Sequence, residues 1–336
     1  MTSSTRSRTA VVCRISNIFS GGANPKLPSL PKDVKEAVSK CRQATQEALQ
    51  KQQSRMDIEF PVGTKFNVER VPKRNKMKDE SNNAPTQSDL QRSDRELARL
   101  FVDMFQPVGG DRIAVVFNDV LAADTAKQKW KGDSTAQSRI LSLDRSKAAQ
   151  KYKKKRQQTS TKKKGFAAKL AQELNESETD DDSQTTMNNP AGPFQLPPNT
   201  EVALFVAPGP KELIVIERIC EEVGMGTLVV LLNARTSLIQ MWNSKESEDF
   251  FKHEFETVFH LAAAPQDVAP SCLLHRAFPG EWVLARKPRV GAPHTILTTQ
   301  ERPTSQECQI AYENLKISDV EKNVEGALEG FANWLS

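Results

Sequence analysis

The stretch from Glu201 to Leu232 limits the fold more than any other part of the chain. Glu201–Val206 (EVALFV) is an apolar run of strand length, and Pro210 stands where a helix opens. Leu213, Ile214, Ile216, Ile219, Cys220 and Val223 then recur at helical spacing up to Gly224, and Thr227–Leu232 (TLVVLL) is a second apolar run. Proline at a helix start and glycine just past its end are the expected punctuation. A strand–helix–strand unit of this kind implies parallel pairing with a right-handed crossover.

Elements of the same style lie on either side. Leu30-Pro31 opens the folded part, and Val34, Ala37, Val38, Cys41, Ala44, Ala48 and Leu49 line the narrow, small-residue face of a helix over 33–52. Met56–Pro61 (MDIEFP) alternates as a strand and stops at Pro61 and Gly63. Residues 72–92 read as a polar loop. Ser93 and Glu96 then have capping-box spacing before Leu97, Leu100, Phe101, Met104 and Phe105, and Gly109-Gly110 breaks that helix. Arg112–Phe117 (RIAVVF) has the near-continuous apolar character of a strand buried on both faces. Asn118-Asp119 and a helix towards Trp130 follow. Phe255–Leu261 predicts a further strand, and Leu273–Ala277 with Trp282–Arg286 predicts a hairpin around Phe278-Pro279-Gly280-Glu281. A second capping box, Ser318 with Glu321, opens a terminal amphipathic helix through Val320, Val324, Ala327, Leu328, Phe331 and Leu335. The expected fold is α/β: a three-layer, mostly parallel, Rossmann-like sheet with an antiparallel edge hairpin.

Length alone, at 336 residues, would suggest two domains. The charge distribution argues for one domain, over 30–335, with a disordered insertion over about 131–198. Residues 145–182 hold 11 Lys/Arg and 6 Asp/Glu, too few apolar groups to repay ordering. Residues 1–32 hold 5 Lys/Arg and no acid. Without these two stretches the basic count falls to 47 − 11 − 5 = 31 and the acidic count to 42 − 6 = 36. The formal net charge of +5 therefore becomes about −5 for the body, which makes nucleic acid an unlikely partner. Five separated cysteines without a C-x-x-C describe neither a disulfide framework nor a zinc site. No run approaches the ~20 apolar residues of a membrane helix, so a soluble protein is expected. The Arg- and Ser-rich, acid-free residues 1–29 read as an organelle transit peptide, chloroplast or mitochondrial.

Motif chemistry is sparse. There is no Walker loop, no G-x-G-x-x-G and no G-x-S-x-G elbow. Gly224-Met225-Gly226 follows a helix and precedes a strand, the reverse of a dinucleotide fingerprint. His253, His260, His275 and His294 show no ligand spacing and read as structural or surface residues, so no metal, cofactor or catalytic residue is expected. What remains is topological. Open α/β sheets bind ligands outside the carboxyl ends of their strands, and Asp119, Gly209, Asn233 and Arg235 fall there. A glycine turn before a helix amino terminus, with a nearby arginine, suits an anion or a nucleotide phosphate. The same residue types also serve simply as turn formers and caps.

Several of these segments together resemble a known family. They are Leu30-Pro31, Arg55 with Glu59-Phe60-Pro61, Leu231-Leu232-Asn233 with Arg235, and Leu274 to Trp282. The chain resembles a plastid family of plants and algae, a domain of unknown function that includes the chloroplast low photosystem II accumulation three protein. The same module is also found attached to a plastid adenylate kinase. The resemblance covers about residues 30–130 and 200–335, and Arg276–Trp282 is its most specific piece. It departs at Ala234, where the family usually has proline, and in the charged insertion. The resemblance implies a non-enzymatic protein of the chloroplast stroma that assists photosystem II assembly, with thylakoid or photosystem II assembly proteins as partners. Arg276, Phe278, Pro279, Gly280 and Trp282 are then candidates for a partner surface, beside their structural reading as a turn with a core tryptophan. The rival expectation is a small-molecule or nucleotide-phosphate enzyme using the strand-end pocket.

Overall fold

The computed structural model describes residues 30–69, 85–144, 194–239, 241–287 and 293–315. The expected tail over 1–29, the charged stretch 145–182 and the terminal helix over 318–335 lie outside them. Helix α1 (Val34–Gln50) leads into strand β1 (Arg55–Glu59), and helix α2 (Gln87–Phe105) leads towards β2 (Ile113–Phe117). Then come α3 (Val120–Lys129), β3 (Arg139–Ser142), β4 (Val202–Val206), α4 (Pro210–Val223), β5 (Leu228–Leu232) and α5 (Lys245–His253). Strands β6 (Glu256–Ala263), β7 (Cys272–Ala277), β8 (Trp282–Arg286) and β9 (His294–Thr299) are followed by α6 (Ser305–Glu313).

These strands form one nine-stranded sheet in the order β3-β2-β4-β5-β1-β6-β7-β8-β9. Pairing is parallel from β3 to β6 and antiparallel from β6 to β9. Helices cover both faces, as parallel strands require. On one face α1, α2 and α3 bury Met56, Ile58, Val115, Leu204 and Val230. On the other, α4 and α5 cover Val116, Phe205 and Leu231, while α6 covers Leu274 and Leu284. The three-layer fold with an antiparallel edge is thus the one the apolar runs predict.

Four details differ from expectation. Helix α2 starts at Gln87, where Thr86 and Asp89 form the capping box, so Ser93 and Glu96 lie buried inside the helix. Glu96 is used there by Arg92, whose Nε donates to it at 2.8 Å. Strand β3 lies within the segment expected to be an unbroken insertion, held to β2 in parallel register. Helix α5, nine residues whose apolar groups are only Phe250 and Phe251, and the edge elements β9 and α6 are not among the predicted elements. Ile214, expected in the core, is 42% exposed.

A fifth difference matters most. The alternation of β1 reads as one buried and one wet face, yet all five residues are buried. The strand sits fifth of nine, between β5 and β6, and Arg55, Asp57 and Glu59 alternate with Met56 and Ile58, so they are buried on the face opposite α1–α3. Arg55 is satisfied by the end of α4: its guanidinium donates to the carbonyls of Thr227 (2.8 Å), Cys220 (3.2 Å) and Gly224. A cation there neutralises carbonyls that a helix carboxyl end leaves unpaired. Arg55→Ala takes a donor from the buried Thr227 and Cys220 carbonyls, the second of which keeps the Gly224 N–H, and is expected to cost about 2 kcal/mol. Urea unfolding measures this; a loss under about 1 kcal/mol would show that water replaces the guanidinium.

Candidate functional site

The topology leaves two gaps at the carboxyl ends of the strands. After β2 the chain turns into α3 on one face, while after neighbouring β4 it turns into α4 on the other. Likewise β1 leads to α2 and neighbouring β5 to α5, on opposite faces. Such switch points are where open α/β sheets place ligands. Asp119 and Gly209 flank the first gap, and Asn233 and Arg235 the second.

Both gaps are stitched by the protein's own groups. At the first, Asp119 caps α3, its Oδ1 accepting from Ala122 N–H at 2.6 Å. Gly209 caps α4, its N–H donating to Glu212 Oε2 at 3.1 Å. At the second, Asn233 is 2% exposed and latches three elements together. Its Nδ2 donates to Asp94 Oδ1 on α2 (2.7 Å), and its Oδ1 accepts from the Phe60 N–H after β1 (2.9 Å). Arg235 Nη2 lies 3.7 Å from the same Asp94 oxygen. Burial raises the Asp94 pKa, and the Arg235 charge and the Asn233 bond oppose that rise. The fold therefore brings Asn233 and Arg235 together around Asp94, while Asp119 and Gly209 belong to the other gap. Ala207, Asn233 and Arg235, all at these strand ends, take left-handed backbone angles (φ 46°, 54° and 49°) without being glycine. Strain of this kind gathers at functional sites.

A further charged cluster, absent from the expectations, lies where β1 meets β6. Register pairs Glu59 with His260. His260 Nδ1 is 3.4 Å from Glu59 Oε2, beyond a full hydrogen bond. Among the described residues Glu59 Oε2, Asp57 Oδ1 and both His260 ring nitrogens lack a partner. Burial keeps His260 below its ordinary pKa and therefore neutral near pH 7. Burial, helped by the Glu59 charge, pushes Asp57 up to about 7. For Glu59, burial acts upward but is outweighed by His260, Arg302 and Arg235, so its carboxyl stays below the usual range. An ionised Glu59 thus faces a neutral imidazole, since His260 is only 1% exposed and burial disfavours its charged form. Trp282 packs against His260 at 5.1 Å between ring centres, and the Arg302 guanidinium lies over Trp282 at 5.2 Å. This cluster can store and share protons. It is closed to substrate, with Asp57, Glu59 and His260 between 1% and 6% exposed.

The partner-surface candidates form the β7–β8 turn. Arg276 is held by Glu256 (2.6 Å) and the Thr257 carbonyl (3.0 Å). Phe278 and Trp282 are turned inward, 8% and 4% exposed. Pro279 and Gly280 are at the surface, and the Phe278–Pro279 peptide is cis. Gly280 is required by space, because a Cβ there would meet the Ala277 carbonyl oxygen at 2.8 Å. His275 is structural, its Nδ1–H donating to the His260 carbonyl at 2.9 Å. His253 and His294 are exposed.

Two cavities lie away from both gaps. One between α1 and α2, lined by Val38, Cys41, Phe60 and Leu97, holds about 20 Å³, room for one water. An open groove of about 450 Å³ lies at the opposite, amino ends of the strands, beside Pro197, Asn199 and Thr227. No group of three or more metal-ligating side chains occurs among the described residues.

The raised Asp57 pKa makes stability depend on pH. The unfolded chain ionises this group near its ordinary value of 3.8, while the fold keeps it protonated up to about 7. Its contribution is therefore present at pH 4 and lost as pH rises through 7. Asp57→Asn removes that loss. Its melting temperature should match wild type at pH 4 and exceed it by roughly 3–8 °C at pH 8. An equal difference at both pH values would mean Asp57 is not the titrating group.

No curated protein and no solved structure matches the chain. A family model described as Domain of unknown function (DUF1995) matches residues 31–309. That span runs from α1 into α6 and includes both strand-end gaps, the Glu59–His260 cluster and the Arg276–Trp282 turn. The chain belongs to this family of unknown function.

Proposed function

We propose that this chain is a non-catalytic protein of the plastid stroma that works through protein–protein contacts, assisting the assembly of photosystem II or another thylakoid complex. One observation carries the choice of binding over catalysis. The carboxyl-end rim, where a ligand would enter, is latched at the second gap by Asn233 and Asp94, and its loops and helix starts carry large exposed apolar side chains instead. Val62 follows β1, Leu121 follows β2, Ile214 follows β4, and Leu238 and Met241 follow β5; they are 43%, 56%, 42%, 67% and 85% exposed. Apolar groups gathered at one end of a molecule mark an interaction surface. No described helix is long and apolar enough to cross a membrane, which suits an assisting partner rather than a spanning subunit. Organelle import rests on the acid-free, Arg- and Ser-rich residues 1–29, and the choice of plastid over mitochondrion rests on the family resemblance carried by Arg276–Trp282 and the segments around it.

A tagged chain expressed in plant cells tests this reading. Import into chloroplasts and capture of photosystem II core subunits or their assembly proteins are expected. Leu238→Glu with Met241→Glu should reduce that capture at least tenfold and leave the melting temperature within about 2 °C, because both side chains are exposed. Mitochondrial import, or capture indifferent to these changes, overturns it.

A further inference from the structure

We propose that the seam between β1 and β6 is a hinge operated by the Asp57 proton, at which α6 with β7–β9 parts from the α4/α5 side and admits water to the charged cluster. The two faces of the sheet are built differently at this seam. On the face of α1, α2 and α3, one apolar core joins Val115 on β2, Ile58 on β1, Phe259 on β6 and Val283 on β8. On the other face the apolar core is in two pieces. One gathers around Phe205, Leu231 and Phe251, the other around Leu274, Leu284 and Cys308, and neither includes a residue of β1 or β6. The strip between the two pieces holds Asp57, Glu59 and His260.

The strand ladder is interrupted at the same place. Asp57 pairs with Thr257 and Ile58 with Phe259, so Val258 is an extra residue in β6. Its carbonyl accepts from the Phe278 N–H at 2.9 Å, on the side of β7. A bulge breaks a ladder locally and bends its strand. The continuous core is therefore a pivot, and the divided core opposite it is the line along which the layers part. Asp57 Oδ1, Glu59 Oε2 and both His260 ring nitrogens have no hydrogen-bond partner among the described residues, so entering water finds four groups to satisfy. Charges reach this strip from several elements: Arg55 and Glu59 on β1, Arg235 after β5, His260 on β6, and Arg302 between β9 and α6, itself within reach of Cys308. The side that moves carries the Arg276–Trp282 turn.

The direction with pH follows from linkage. In the closed seam Asp57 keeps its proton up to about 7, and once wet it ionises near its ordinary 3.8. Opening thus releases a proton between these values and becomes easier as pH rises from about 4 to 7, with little change beyond.

Hydrogen exchange of the full chain, followed by mass spectrometry at pH 5 and pH 8 and corrected for intrinsic rates, reads the opening. In wild type at pH 8, amides of β6 and α6 are expected to be at least a hundredfold less protected than those of β2 and β4, which open only on global unfolding. Seam protection should fall at least tenfold from pH 5 to pH 8, and in Asp57→Asn it should stay level. The comparison of β6 with β2 needs no variant, so it stands even if Asp57→Asn folds poorly. Protection of β6 equal to that of β2, a seam indifferent to pH, or the same fall in Asp57→Asn overturns the proposal.

Discussion

Strand β1 is enclosed on both faces and both edges while three of its five residues are ionisable, and much of the molecule is arranged around that burden. An unpaired charge in such a place costs several kcal/mol, so each of these groups has to be met or neutralised. Arg55 does this at the strand's start by gathering carbonyls from the end of α4. Asp57, at its centre, keeps its proton instead. Glu59, at its end, shares the space of His260 from β6 while the neighbouring Phe60 N–H is taken by Asn233 from β5. The chain thus ties β1 to both sheet neighbours and to the helix layers through polar groups, where packing alone would leave the register free to slip.

Much of the architecture was legible in the sequence, because it rests on strands apolar throughout and bounded by proline or glycine. Val202–Val206, Pro210, Gly224 and Leu228–Leu232 could be read together for that reason. What escaped reading lies at the sheet edges, where burial is partial and the pattern weak (β3, β9 and α6), and in α5, which is short and holds only two apolar residues. The start of α2 was misplaced because Ser-x-x-Glu spacing recurs by chance within helices, whereas the true box is Thr86 with Asp89. The site followed the same division. Asn233 and Arg235 announce themselves by following a strand, but their partner Asp94 lies 139 residues from Asn233 in sequence. Asp57, Glu59 and His260 were missed because polar residues alternating along a strand look solvated; only the strand's central position reveals them as buried.

The turn from Arg276 to Trp282 shows how one motif can be specific without being a surface. Its arginine, aromatic residues and glycine each meet a local demand: pairing Glu256, filling the space beneath α1 and beside His260, and tolerating the Ala277 carbonyl. A stretch held so tightly holds β7 against β8 and places Trp282 beside His260.

Closure of the second gap and display of the apolar rim are one feature. Asn233 and Arg235 hold left-handed angles that cost about 1–3 kcal/mol each and persist only where surroundings enforce them. The enforcement is visible: Asp94 and the Phe60 N–H grip the Asn233 side chain, and Asp94 draws in Arg235. Those angles reverse the chain at the end of β5, so that the residues after Arg235 leave the sheet instead of folding over it, and Leu238 and Met241 are carried outwards. An open crevice would need the Asn233 latch released, and releasing it would also let the loop collapse onto the gap. One latch thus closes the second gap and turns the following loop outwards, so apolar side chains stand where an open α/β sheet places its crevice.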